Sequence, residues 1–210
     1  MSVKVYKDQA KTTPIRVILG QLEGNGTATS FTVNENPAEV RKYSTSAPYG
    51  ELLVSGTDYN VTDNGDGTYT ITLTSAPASG ETVVAFDAGE PIFADSYAIG
   101  NSSVEADRTM EQVLWIAAEG VNAQNVTVKI SDLVSGAGAD PNWHYLAPDS
   151  DGTGSTPGAY GDAGAALNLG DINDGDVVPF WIKVIVPENT PMENYRDVYL
   201  EVQSLQFSTH

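Results

Sequence analysis

Residues 176–203 read DVVPFWIKVIVPENTPMENYRDVYLEVQ, and this stretch decides the fold class. Val178, Phe180, Ile182, Val184 and Val186 fall at every second position. Pro187-Glu188-Asn189-Thr190-Pro191 interrupts them, and Val198, Leu200 and Val202 resume the alternation. Successive side chains of a strand point to opposite faces, so the pattern predicts a long strand, a Pro-bounded turn and a closing strand. Each strand lays one apolar face on a common core.

The same period runs through the rest of the second half. Val113-Leu114-Trp115-Ile116, within Thr109 to Ala118, is apolar at every position and suits a strand buried on both faces. Val126, Val128 and Ile130 alternate with polar residues, and Ala166-Leu167-Asn168-Leu169 gives a shorter strand. Between them, 132–164 is a long insertion rich in Gly, Asp and Pro, with a short strand expected at Trp143-His144-Tyr145-Leu146. Residues 93–210 are thus expected to form one sandwich.

Residues 29–92 read as a small β domain. Tyr69, Ile71 and Leu73 alternate with Thr68, Thr70, Thr72 and Thr74 behind the turn Asp63-Asn64-Gly65-Asp66-Gly67. Asn-Gly and Asp-Gly tolerate the positive φ of tight turns, so a hairpin is predicted over 59–73. Residues 1–28 read as an N-terminal arm. Its strand Ile15-Arg16-Val17-Ile18-Leu19 either docks on another subunit or edges the first domain. The chain as a whole is expected to be all-β, with no helix beyond a turn or two.

The 210 residues carry 28 acidic and 10 basic side chains, a formal net charge of −18. A phosphate backbone is bound by clustered Lys and Arg that displace counterions, so nucleic acid is excluded as an expected partner. The charge favours solubility and also suits a high-salt habitat. With no Cys, disulfides, thiolate metal sites and Cys nucleophiles are excluded. The stretch Met1 to Asp8 lacks an apolar h-region, so no secretory signal is expected, and no run approaches the ~20 apolar residues of a membrane span.

Chemistry-bearing residues are few. Of the two histidines, His210 is terminal and His144 lies between Trp143 and Tyr145, where nothing in the spacing selects a nucleophile or an orienting acid. The carboxylate pairs Asp63/Asp66 and Asp149/Asp151 stand beside Gly in predicted turns, where Asp caps the local backbone. Asp171, Asp174 and Asp176 come nearest to a calcium loop, but no Glu stands at its twelfth position. No catalytic residue, cofactor or metal is expected. The interaction residues expected are Ile15, Val17 and Leu19 on the arm, and Trp143 and Tyr145 in the insertion.

Two resemblances give these features a context. Leu53-Val54-Ser55-Gly56-Thr57-Asp58-Tyr59-Asn60-Val61, Gly67 to Leu73 and Ala76 to Val83 resemble a small β module recurrent in virion proteins of tailed viruses. Asn125-Val126-Thr127-Val128 and Val186 to Pro191, leading through Tyr195 to Asp197-Val198-Tyr199-Leu200, resemble an immunoglobulin-like sandwich of viral and archaeal surface proteins. Asn194 replaces the usual Gly before that aromatic, and the Cys pair of antibody domains is absent. The resemblances imply a non-enzymatic virion structural protein. It would decorate or cement a capsid surface, bind the major capsid protein or other virion proteins, form a homo-oligomer, and assemble in a host cytoplasm. The alternative they allow is a receptor- or glycan-binding module of a tail, fibre or cell-surface appendage, built on 132–164.

Overall fold

A computed structural model of the chain describes residues 2–92, 108–133, 141–188, 190 and 198–208. The protein is nearly all β: 59% of the described residues lie in strands or bridges, and none of them lies in an α-helix. Strand β1 (Ser2–Tyr6) is followed by β2 (Ile18–Glu23), β3 (Ser30–Val33), β4 (Glu39–Ser44), β5 (Ala47–Leu52), β6 (Tyr59–Asp63), β7 (Tyr69–Leu73) and β8 (Thr82–Phe86). The later strands are β9 (Arg108–Glu119), β10 (Val121–Asp132), β11 (His144–Pro148), β12 (Leu167–Ile172), β13 (Val177–Val186) and β14 (Val198–Ser208).

The first sandwich sets the sheet β2-β8-β4-β5 against β3-β7-β6. Val33, Val40, Tyr59, Ile71, Leu73, Val83 and Ala85 fill the space between. The predicted hairpin is β6–β7, paired from Tyr59 opposite Leu73 to Asp63 opposite Tyr69. Gly65 and Gly67 in its turn take φ of 77° and 88°, which only Gly adopts without strain. Strand β8 is buried on both faces. Val83 and Ala85 point into the core, while Val84 and Phe86 form a second cluster with Tyr43, against which Ile18 and Leu133 pack. Leu133 follows β10, so this cluster joins the two halves of the molecule.

The second sandwich sets β1-β9-β13-β11 against β12-β10-β14, again four strands on three. Its core contains Leu114, Ile116, Val126, Val128, Ile130, Phe180, Ile182 and Val184. The apolar run in β9 has the cause expected of it. Leu114 and Ile116 face this core, while Trp115 and Ala117 lie under Tyr6 with Val113 and Val177 beside them. Strands β13 and β14 share the core but are not partners: β13 pairs with β9 and β11, and β14 with β10. Tyr195 and Asn194 lie outside the described residues.

The segment 1–28 is not a free arm, and the domain boundaries read from the sequence change accordingly. Strand β1 pairs with β9 from Ser2 opposite Glu119 to Tyr6 opposite Trp115. Strand β2 pairs with β8 in the other sandwich. The first sandwich is therefore built within 18–86 and lies between β1 and the rest of the second. Two chain passes connect the units, and they bond to each other. Arg16 N donates to Glu90 O at 2.7 Å, Glu90 N to Pro14 O at 2.8 Å, and Val17 N to the Asp87 carboxylate at 2.9 Å. Gly89 permits this approach, since a Cβ there would sit 2.5 Å from Arg16 N.

Tyr6 fastens β1 at its end. Its hydroxyl donates to Glu119 at 3.0 Å, and Lys11 pairs with the same carboxylate at 3.1 Å. Burial, then the hydrogen bond that the hydroxyl donates to the Glu119 carboxylate and the charge of that carboxylate, push Tyr6 up to about 12. Its folded value lies above its unfolded one near 10, so this stabilisation is complete below pH ~10 and is lost as pH rises towards 12. Tyr6→Phe is expected to flatten the loss of stability between those limits in urea titrations. Removing residues 1–17 takes Val5, Tyr6 and Ile15 out of buried positions. At ~1.5–3 kcal/mol per buried side chain, the second sandwich should lose on the order of 5 kcal/mol. All three tryptophans lie in that sandwich, so their fluorescence during urea unfolding measures the loss directly.

Candidate functional site: an aromatic outer face and two open edges

The outer face of β9-β13-β11 gathers a cluster of polar and aromatic side chains. Lys183 and Tyr145 are directly opposite on β13 and β11, and Lys183 is opposite Glu111 on β9. The Lys183 ammonium lies 5.0 Å from the centre of the Tyr145 ring and 3.9 Å from that of Tyr160. Both distances are within the range of cation–π attraction. The Tyr160 hydroxyl donates to Glu111. Burial, and then this carboxylate, push the Tyr160 phenol well above its ordinary range.

Tyr160 belongs to the loop 149–164, which folds back on its own sandwich. Gly158 N, Gly161 N and Gly164 N donate to the carbonyls of Pro148, Leu146 and His144, closing the outer edge of β11. Asp149 ties the base of the loop. It accepts from Trp181 Nε1 at 2.7 Å and from Gly154 N at 3.2 Å. Gly154 itself packs on Trp115, where an added Cβ would come within 2.4 Å of the indole. Desolvation opposes the Asp149 charge, but the Trp181, Gly154 and Asp151 hydrogen bonds outweigh it and hold the carboxyl down to about 2.

The residues expected to act lie as follows. Trp143 ends a short 3₁₀ turn (Pro141–Trp143) and packs against the second core. His144 is 1% exposed, with Nδ1 3.3 Å from Pro141 O, so it is a buried core residue. Ile15 is 3% exposed in the same core, and Leu19 packs on the first, which corrects their assignment to a partner-binding arm. Val17 stays 43% exposed. The structure does not gather Asp171, Asp174 and Asp176 around one point. Asp171 caps Asn125 N, Asp174 caps Gly120 N and Asp176 caps Asn173 N, and the described residues contain no group of three metal-ligating side chains. The pairs Asp63/Asp66 and Asp149/Asp151 likewise accept from amides of their own turns.

Sequence reasoning missed the exposed apolar side chains on two sheet edges. Leu52 (54% exposed) ends the edge strand β5, and Val54 (55%) follows it. Leu205 (59%) and Phe207 (52%) lie on β14, the edge of the other unit. The signal is present, because Leu205 and Phe207 alternate with Ser204, Gln206 and Ser208. Their phase is opposite to that of Val198, Leu200 and Val202, so they face outward. Among the described residues no helix is long and apolar enough to cross a membrane.

No protein-family model matches the chain, and no curated protein matches it significantly.

Asp149→Ala removes a charged acceptor from Trp181 and Gly154. It is expected to cost about 1.5–3 kcal/mol at pH 7, read as a fall in the urea midpoint. The folded carboxyl lies below its unfolded value near 3.9, so its contribution is present above pH ~4 and vanishes as pH falls through ~2. The gap between wild type and variant should therefore close over that window.

Proposed function

We propose that this protein is a non-enzymatic structural protein that acts by surface contact, and specifically that it decorates or cements the capsid surface of a tailed virus. The observation that carries the reading is the placement of its large exposed apolar side chains. Leu52 with Val54, and Leu205 with Phe207, stand at or just beyond an edge strand of each sandwich. Exposed apolar side chains grouped in this way suit a surface to bury area against a neighbouring one. The four-on-three second unit is in keeping with an immunoglobulin-like sandwich, a rigid support for such edges. The partners of this reading are the major capsid protein or other virion proteins, and the location is the virion.

The carboxylates bear on function through the bonds they make. Those in the turns hold backbone amides, which favours display of stiff loops. For the glycan-binding alternative, Tyr145 and Trp143 would have to offer ring faces. Lys183 already lies over Tyr145 and Trp143 packs on the core, which favours the contact reading.

Immunogold electron microscopy with antibody to the purified chain tests the location. Gold over the heads of particles from the producing culture is the expected result; gold confined to cell surfaces would overturn it. For the contact itself, the double substitution Leu52→Lys and Val54→Lys should abolish sedimentation of the labelled chain with those particles. Both side chains are exposed, so stability should stay within about 0.5 kcal/mol of wild type.

A further inference from the structure

We infer that β14 is the seam of a two-fold dimer, in which the strand pairs antiparallel with β14 of a second copy of this chain. The pairing would occur in solution and does not rest on a virion location.

The inference starts from how the chain treats its other edges. The outer side of β11 is closed by three amides of the loop 158–164. The outer side of β1 is closed by Ile15 N donating to Val5 O and by a bridge from Tyr6 to Pro14. Strand β2 is kinked by a register shift at Gly20, and β5 by a register shift and by Gly50 at φ 76°. Strand β12 has six residues, includes Asp171 and Gly170, and is irregularly paired. Strands β3 and β6, the edges of the remaining sheet, have only four and five residues. Short, kinked or covered edges are the usual devices against edge-to-edge association.

Strand β14 has none of them. It runs for 11 residues, VYLEVQSLQFS, without Pro, Gly or Lys. It bonds to β10 along one side, and its register shift there falls between Gln124 and Thr127 on β10, so β14 itself continues unbroken. Among the described residues no loop donates to or accepts from its backbone on the other side.

The occupant follows from charge and register. A chain of net charge −18 repels its own copy everywhere except where charge is sparse or compensated. Glu201 is the one ionised side chain of β14, and its own chain compensates it. Ser131 Oγ donates at 2.8 Å, Gln203 Nε2 at 2.6 Å, and Lys129 is directly opposite on β10. Pairing all 11 residues about a two-fold axis puts Gln203 opposite itself. Glu201 then faces Leu205 of the second copy, not another carboxylate, and Tyr199 faces Phe207. These four face outward together, so the interface gains two aromatic pairs and covers Leu205 of each copy. Direct cross-strand aromatic pairs are among the stabilising ones, and like charges opposite one another are destabilising. An isologous seam of this kind closes at two copies.

The test is the mass of the full chain by sedimentation equilibrium at about 0.15 M salt, where the Debye length is about 8 Å. Twice the 22.2 kDa of one chain is expected, with a concentration-dependent return to monomer. Gln203→Glu sets two carboxylates face to face on the axis and should raise the dissociation constant at least tenfold, whereas Gln203→Ala should leave the dimer in place. Tryptophan fluorescence checks that both variants stay folded. Register is read independently, because the chain has no Cys. Gln203→Cys should give a disulfide-linked dimer when two thiols are oxidised by glutathione disulfide, and Tyr199→Cys should not. A monomer at every concentration overturns the inference, as does an assembly whose mass is not a multiple of two chains. A dimer indifferent to Gln203→Glu and unlinked through Gln203→Cys overturns it equally.

Discussion

The backbone hydrogen bonds between Pro14–Val17 and Asp87–Glu90 are the constraint on which the rest of the molecule depends. They join the two passes that connect the sandwiches, so the connection is a bonded pair of segments and not a single tether. Arg16 reinforces it from both directions. Its guanidinium pairs with Glu39 at 2.9 Å and stacks 4.8 Å from the centre of the Phe86 ring. Phe86 in turn belongs to the cluster that receives Leu133 from the second half of the chain. Removing Cβ at Gly89 is what allows the passes to meet, so one missing methyl group underlies the relative placement of two cores.

Around that junction the protein manages its acidity by local capping. Asp8 accepts from Thr12 and Thr13, Asp58 from Val54, Asp66 from Thr68 and Asp151 from Thr153. Asx-type bonds of this kind satisfy turn amides that no ladder reaches. The excess of carboxylates is therefore partly structural. It makes stiff loops at the sandwich ends and leaves the edges, where charge is sparse, as the places where surfaces can meet.

The class of fold was legible because period-two patterning is local. The alternation in 176–186 became β13, and Thr-flanked Tyr69, Ile71 and Leu73 became β7 of the expected hairpin. Sheet membership was not legible. Strands β13 and β14 look like a hairpin in sequence, yet lie in opposite sheets, since alternation states which face is apolar and not which neighbour is bonded. The fate of Ile15 was hidden for the same reason, since it bridges to Glu90 and bonds to Val5, whose own strand partner is Ile116. Of the candidate site, Tyr145 was legible as an aromatic in the insertion. Its pairing with Lys183, and the grip of Asp149 on Trp181, come from strand register and from a loop turning back, which no short window of sequence encodes.

The interleaving of the two units sets an order on synthesis. Tyr6 is bonded to a residue 113 positions further on, and between them the ribosome must make the whole of the first sandwich. At about 5–20 residues per second, β1 waits roughly 5–20 seconds for its neighbour, during which the intervening unit can fold on its own core. Strand β1 is made before every strand of the first sandwich and is placed only after all of them. Its docking closes the long-wrapped unit only after the short one is complete, so a nascent chain that stalls before β9 would hold a finished first sandwich and an unpaired β1.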